Sequence, residues 1–251
     1  MSEPIEYTSR HTRVAWGVHV FTCVGVFVGY LGTNSVIQGR ARGAILWLIV
    51  ALILDGIDGP VARSLDVGKR IPHLNGHSLD LIIDFFTCTI LPVAFLDRFD
   101  MVPNHTTAPI CFAILVSGAL WMSRTDQETH DRWFRGFPAE WNMIIPTLFL
   151  LRADPWVTLG ICVVFVALTL SKVQFAHPVS VTDGRPAALV FMTLWLGSML
   201  WLAIIQRDVL WLRVILTVAP MWTILVSVRR MCVQMEHPAD ALPATISPEP
   251  D

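Results

Sequence analysis

Apolar residues gather in eight long runs separated by short polar turns, at about 14–32, 44–63, 77–97, 107–123, 138–152, 156–171, 187–205 and 209–228. A membrane-spanning helix needs about 20 such residues. Most of the runs meet or approach that length; the fifth and sixth are short and are split only by the polar turn Arg152-Ala-Asp-Pro155. The pattern predicts an all-α, polytopic membrane helix bundle of about eight transmembrane helices. One domain over residues 1–235 would carry it, followed by a tail, 236–251, whose four prolines and four acids predict disorder.

Loop charges set an orientation, because Lys and Arg collect on the cytoplasmic side. With the N-terminus inside, that side holds Arg10, Arg13, Arg63, Lys69, Arg70, Arg124, Arg132, Arg135, Lys172, Arg185, Arg229 and Arg230, twelve of the 18 basic residues. The opposite side keeps Arg40, Arg42, Arg98, Arg152, Arg207 and Arg213. Both termini are therefore expected in the cytoplasm, with Arg40 and Arg42 as the pair that fits least well.

Composition agrees with a membrane protein. Of the 251 residues 54% are hydrophobic and 15% charged, against about 25% charged in a soluble domain. Ten Trp fit interfacial belts as well as packing. A net charge of −2, with no Lys/Arg run, excludes a nucleic-acid footprint. The first ten residues carry acids and no apolar core with a cleavage site, so a secretory signal is not expected. The five scattered cysteines predict neither a disulfide framework nor a Cys-based metal site.

Four acids break the apolar pattern. Asp55-Gly-Ile-Asp58-Gly-Pro-Val-Ala-Arg63 ends the second run, and Gly76-His-Ser-Leu-Asp80-Leu-Ile-Ile-Asp84 opens the third. Charge inside a bilayer costs about 2.5–3.5 kcal/mol per group even on the lenient insertion scale. Spacings of three and four put each aspartate pair on one helix face. Two carboxylates from each of two facing helices make an oxygen-rich site for Mg²⁺ or Mn²⁺, with room for two ions and the clamping of a phosphoryl group. Gly56 and Gly59 leave space for a ligand beside the acids, Pro60 loosens the backbone, and Arg63 offers a planar fork that matches phosphate. Salt bridges to Arg63, Lys69 and Arg70 are one alternative reading; an ion or proton pathway is another.

The positions Asp55, Asp58, Gly59, Ala62, Arg63, Gly76, Asp80 and Asp84 together resemble the signature of the CDP-alcohol phosphatidyltransferases. The gap between Arg63 and Gly76 is twelve residues rather than that family's usual eight, which resembles the bacterial phosphatidylcholine synthases within it. Ala15-Trp-Gly-Val-His19-Val-Phe-Thr22 and Phe134-Arg-Gly-Phe-Pro-Ala-Glu-Trp-Asn142 carry the same resemblance. It implies a six-helix core with two added spans, and an enzyme of the bacterial inner membrane with its site on the cytoplasmic face. It also implies transfer of a phosphatidyl group from CDP-diacylglycerol to choline with release of CMP. Asp55, Asp58, Asp80 and Asp84 would hold the metal, with Asp80 and Asp84 catalytic and Asp84 the general base. Gly56, Gly59, Ala62, Arg63 and Gly76 would line the CDP pocket. Enzymes of this kind are commonly dimers, so a homodimer is an expected assembly. Serine, inositol phosphate or another alcohol as acceptor is the alternative within the family; a metal or proton translocator is the alternative outside it.

Choline is a quaternary ammonium, recognised by aromatic faces and a carboxylate. The loop 124–142 supplies Trp133, Phe134, Phe137 and Trp141 beside Asp131 and Glu140. Glu140 and Trp141 are the leading choline contacts; an interfacial belt is the competing account. His19 either faces the site or packs between helices, and Asn142 is equally open. His177 and Asp183 are expected to be solvated, and the large apolar side chains of the last two runs to contact lipid and neighbouring helices.

Overall fold

The computed structural model describes residues 9–129, 131, 133–176, 185–205 and 209–236. His177, Asp183 and the tail beyond Glu236 lie outside the described residues. All eight apolar runs are helical. In order they are α1 (Ser9–Ile37), α2 (Ala41–Ser64), a single turn α3 (Val67–Arg70), α4 (Gly76–Asp84) continuing through a π-helical turn (Phe85–Ile90) into α5 (Leu91–Arg98), then α6 (Thr107–Met122), α7 (Trp141–Leu151), α8 (Pro155–Thr169), α9 (Arg185–Ile205) and α10 (Leu210–Glu236).

Six helices among the described residues are long and apolar enough to cross a membrane, with Gly76–Arg98 counting as one. The chain is a multi-pass membrane protein. The fifth and sixth runs become the shorter helices α7 and α8. Arg152, in the left-handed region at φ 54, ends α7, and the Asp154 side chain caps α8 by accepting from the Trp156 amide. The polar turn thus uses up length that spanning would need.

α1 runs further than its apolar pattern, to Ile37, because Thr33 and Ser35 bond back to the Gly29 and Leu31 carbonyls and hide their hydroxyls within the helix. α1 lies along α2 and also contacts α4 and the π turn. A β-carbon on Gly29 would meet the Phe86 ring at 2.6 Å, and one on Gly32 would meet Leu91 at 2.6 Å. Small residues let these backbones approach, as is usual between membrane helices. The approach brings His19 and Thr22 of α1 up to the aspartate hairpin.

The core runs from α2 through α5 to α7 and α9, where Ile45, Leu48, Phe95, Trp141, Ile145, Trp195 and Met199 are buried. Arg42, awkward in the charge count, binds the Ala203 and Ile204 carbonyls near the end of α9; a cation there satisfies orphan carbonyls and the helix dipole. Arg98 reaches Gly39 at the same end. At the other end Arg230 of α10 pairs with Asp131 at 2.6 Å and donates to Gln174 at 2.6 Å. Loops expected on a common side therefore do meet.

The all-α expectation omits one feature. Trp133–Arg135 (β1) and Gln174–Ala176 (β2) pair antiparallel, Phe134 opposite Phe175. Gly136 follows β1 at φ +81, and a β-carbon there would lie 2.5 Å from the Thr169 carbonyl oxygen. This clip ties the loop before α7 to the loop after α8.

Candidate active site

α2 and α4 bring three carboxylates together. Oxygen atoms of Asp55, Asp80 and Asp84 all lie within 4.8 Å of one another. Asp58, one turn on from Asp55, is outside that group and 7% exposed, yet all four acids line one narrow pocket with Thr22 and Thr87. None of the four makes an ion pair among the described residues, and Lys69 pairs instead with Asp66 at 3.1 Å. Two like charges about 4 Å apart repel by roughly 4 kcal/mol at an effective dielectric of 20. Oxygen-only donors at this separation, unpaired by protein cations, fit a hard divalent ion.

The pocket opens into a cleft of about 730 Å³. Asp58, Gly59, Ala62 and Arg63 of α2 form one side, Gly76 and Asp80 of α4 the other, and His19 and Thr22 of α1 the floor. Four of the five residues expected around CDP thus share one surface. Gly56 does not line the cleft, and a β-carbon there would meet nothing within 4 Å. Asn75 fixes the start of α4 by accepting from the Ser78 amide at 3.1 Å, which sets the phase of Gly76, Asp80 and Asp84. His19 is 6% exposed with its Nε2 unpartnered, and its Cε1 would lie 3.3 Å from a β-carbon on Gly76. Of the two readings of His19, the cleft-facing one is what the structure holds.

No family model matches the chain. Curated relatives do. The chain is 35% identical over 194 residues to a phosphatidylcholine synthase of Pseudomonas aeruginosa, covering 77% of this chain and 82% of the relative. A phosphatidylcholine synthase of Rhizobium johnstonii is 36% identical over 181 residues, 72% of this chain and 75% of that one. One from Borreliella burgdorferi is 34% identical over 175 residues, 68% and 74%. The chain belongs to the phosphatidylcholine synthase family. It is a membrane-embedded phosphatidyltransferase of phospholipid biosynthesis, built as a helical bundle.

The loop that leads into α7 distributes its residues unequally in this phosphatidylcholine synthase family member. Trp133 is covered by the Arg230 guanidinium, 4.1 Å from the ring centre. Asp131 is taken by the same arginine and by Thr129; burial raises its carboxyl, but these partners hold it below the usual range. Phe134 stands edge-on to Trp121. Trp141 is fully buried behind Phe137 and Phe165, its indole Nε1 unpartnered, and Asn142 is buried with Oδ1 unpartnered.

The side chain of Glu140, just ahead of α7 and outside the spanning helices, makes no hydrogen bond or ion pair among the described residues, while its backbone carbonyl accepts from the Met143 amide at 3.1 Å. Burial, and then the Asp55 charge, push its carboxyl up to about 7. Glu140 borders a second, apolar cavity whose walls include Phe165 of α8 and Phe191 and Trp195 of α9. That these three aromatics border a cavity was not legible in the sequence, because nothing in a run of apolar residues marks which face meets a cavity.

Proposed function

We propose that the protein transfers the phosphatidyl group of CDP-diacylglycerol to choline, with release of CMP, at the cytoplasmic face of the inner membrane and with both termini inside. The observation that carries this reading is the meeting of three carboxylates, with oxygens within 4.8 Å of one another, at the root of a cleft walled by Gly59, Ala62, Arg63 and Gly76. The Lys/Arg bias supports the orientation. The partly buried, unpaired Glu140 beside aromatic rings supports a cationic acceptor over serine or inositol phosphate.

Asp55, Asp58, Asp80 and Asp84 would hold two Mg²⁺ or Mn²⁺ ions. Bound there, such ions neutralise charge on the diphosphate and on the departing phosphate. The chain's own groups do the rest. Arg63 lies along the cleft as a bidentate phosphate donor, and the absence of side chains at Gly59 and Gly76 leaves room for the nucleotide. The choline hydroxyl oxygen forms a bond to the diacylglycerol-linked phosphorus as the bond from that phosphorus to the CMP oxygen breaks. CMP leaves with the bonding pair, and the hydroxyl proton passes to the Asp84 carboxylate. Glu140 holds the ammonium end, while Trp141 supports Phe137 from behind.

The test is CMP release by purified protein given CDP-diacylglycerol, Mg²⁺ or Mn²⁺, and a panel of alcohols. Release with choline and not with serine is expected. No product with any alcohol, in detergent and in liposomes alike, would overturn the transferase reading.

A further inference from the structure

A cavity of about 100 Å³ lies between the short helices α7 and α8 and the last two spans, α9 and α10. Its walls include Phe137, Phe165, Phe175, Phe191 and Trp195, with Glu140 the one carboxylate among the described residues there. The polar groups on the wall are otherwise spent. Trp195 Nε1 donates to Thr147 Oγ1 at 3.1 Å, and Thr223 Oγ1 donates to the Pro220 carbonyl. Phe137 meets Phe165 edge to face at 4.7 Å and Phe175 at 5.9 Å, so these three rings hold one another in place, while Phe191 is backed by Trp222, stacked at 5.1 Å.

An unpaired carboxylate in an apolar wall calls for a cation, because leaving a buried charge uncompensated is costly. Which cation follows from what the walls lack. A primary ammonium carries three N–H donors, and ring faces give them no good acceptors. A quaternary ammonium carries none and is drawn to ring faces. The helix that Glu140 precedes, α7, packs against α2 and against the π turn that continues α4, which puts the cavity beside the helices that carry the acid cluster, and the Asp55 charge acts on the Glu140 carboxyl.

We propose that this cavity is the subsite for the acceptor's trimethylammonium group, and that Phe191 of α9 is a specificity-determining residue for the acceptor. This rests on choline as acceptor and deepens it. It assigns acceptor selection to α9, a helix that bears none of the acid hairpin, with Glu140 and the aromatic box acting together.

The experiment uses the full chain in proteoliposomes. Phe191→Leu keeps most of the volume and removes the ring; Phe191→Tyr keeps the ring. With a ring–cation contact of ordinary strength, F191L is expected to raise the choline KM about tenfold, with the KM for CDP-diacylglycerol within about twofold of wild type. F191Y is expected to stay near wild type for both. Selectivity for choline over dimethylethanolamine should fall in F191L alone. An unchanged choline KM in F191L, or equal rises for both substrates, would overturn the proposal while wild-type turnover of choline still stood. Should wild type not turn over choline at all, the acceptor reading falls instead. Saturable tetramethylammonium binding, measured calorimetrically and weakened in F191L, would then still support the subsite, and its absence would remove it.

Discussion

Gly59→Ala separates a role in the cleft from a role in the fold. A β-carbon at position 59 would meet Arg63 Nη1 at 3.3 Å, and the three nearest atoms all belong to that guanidinium. Arg63 is exposed, so its tip can swing away at little cost. In a helix interior, Gly to Ala gains roughly 0.5–1 kcal/mol. Pro60 follows, and a side chain before proline disfavours helical backbone, which offsets a similar amount. Stability should therefore change by no more than about 1 kcal/mol, or roughly 2–4 °C in Tm for a chain of this size. Activity should not be spared, because the methyl group holds Arg63 away from the cleft. Loss of one charge-assisted hydrogen bond to a phosphate costs about 1.5–3 kcal/mol, a rise of about 10- to 150-fold in the KM for CDP-diacylglycerol. The assay is CMP release with each substrate varied against saturating levels of the other, beside a thermal unfolding scan. Gly118→Ala is the control. Its β-carbon would lie 2.9 Å from Cγ2 of the fully buried, β-branched Thr89, an overpacking worth about 1–3 kcal/mol. That variant should melt several degrees lower with both KM values near wild type. A G59A enzyme with wild-type KM for CDP-diacylglycerol would refute the placement of the nucleotide between Gly59 and Arg63.

Other outcomes follow from the same geometry. Asp84→Asn is expected to lower kcat by about 10²–10⁴, the usual worth of a general base, with helix content by circular dichroism unchanged; full activity would remove Asp84 from that role. Chelation of divalent ions should abolish CMP release, and Mn²⁺ or Mg²⁺ should restore it; turnover surviving exhaustive chelation would leave the acid cluster without its assigned purpose. The Glu140 carboxyl sits near 7 through burial and the Asp55 charge, so it is protonated below that pH and charged above it. Since the charged form binds a cation, the choline KM should fall as pH rises through about 7 and level off above, and Glu140→Gln should flatten this profile. An identical profile in the variant would show that another group titrates.

Much of this was legible in the chain because membrane insertion writes itself in long apolar runs, and because acids inside such runs stand out. Asp55, Asp58, Asp80 and Asp84 declare their helix faces by spacing alone. Other features needed tertiary contacts. The π-helical turn Phe85–Ile90 carries no local signal; it appears where Thr87 bonds back to the Ile83 carbonyl at 3.0 Å and where Gly29 of α1 admits Phe86. The three-residue strands of the clip between the loops before α7 and after α8 are too short to show alternation. Trp141 illustrates a different blindness. An aromatic beside a polar loop can be belt, ligand contact or core, and here the indole is fully buried behind Phe137. Arg42 looked misplaced in a charge count because its partners, the Ala203 and Ile204 carbonyls, are about 160 residues away in the chain.

On the proposed reading, the two cavities give the last two spans, α9 and α10, a role apart from the acid hairpin. Asp58 and Asp80 open on the cleft that the nucleotide is expected to fill, whereas Asp55 is the acid whose charge acts on Glu140, a residue of the aromatic box's wall. In phosphoryl transfer the attacking and leaving oxygens lie roughly in line on opposite sides of phosphorus. On the proposed reading, a donor held by α1, α2 and α4 and an acceptor held by α7, α9 and α10 use different helices, so neither substrate need cross the other's pocket. The arrangement also divides the consequences of substitution. Changes at Gly59 or Arg63 should act through the KM for CDP-diacylglycerol, changes at Phe191 or Glu140 through the KM for choline, and only the acids between them through kcat. A variant in the aromatic box that altered donor KM alone would mean that both substrates enter by the same route, and that α9 and α10 serve some other end.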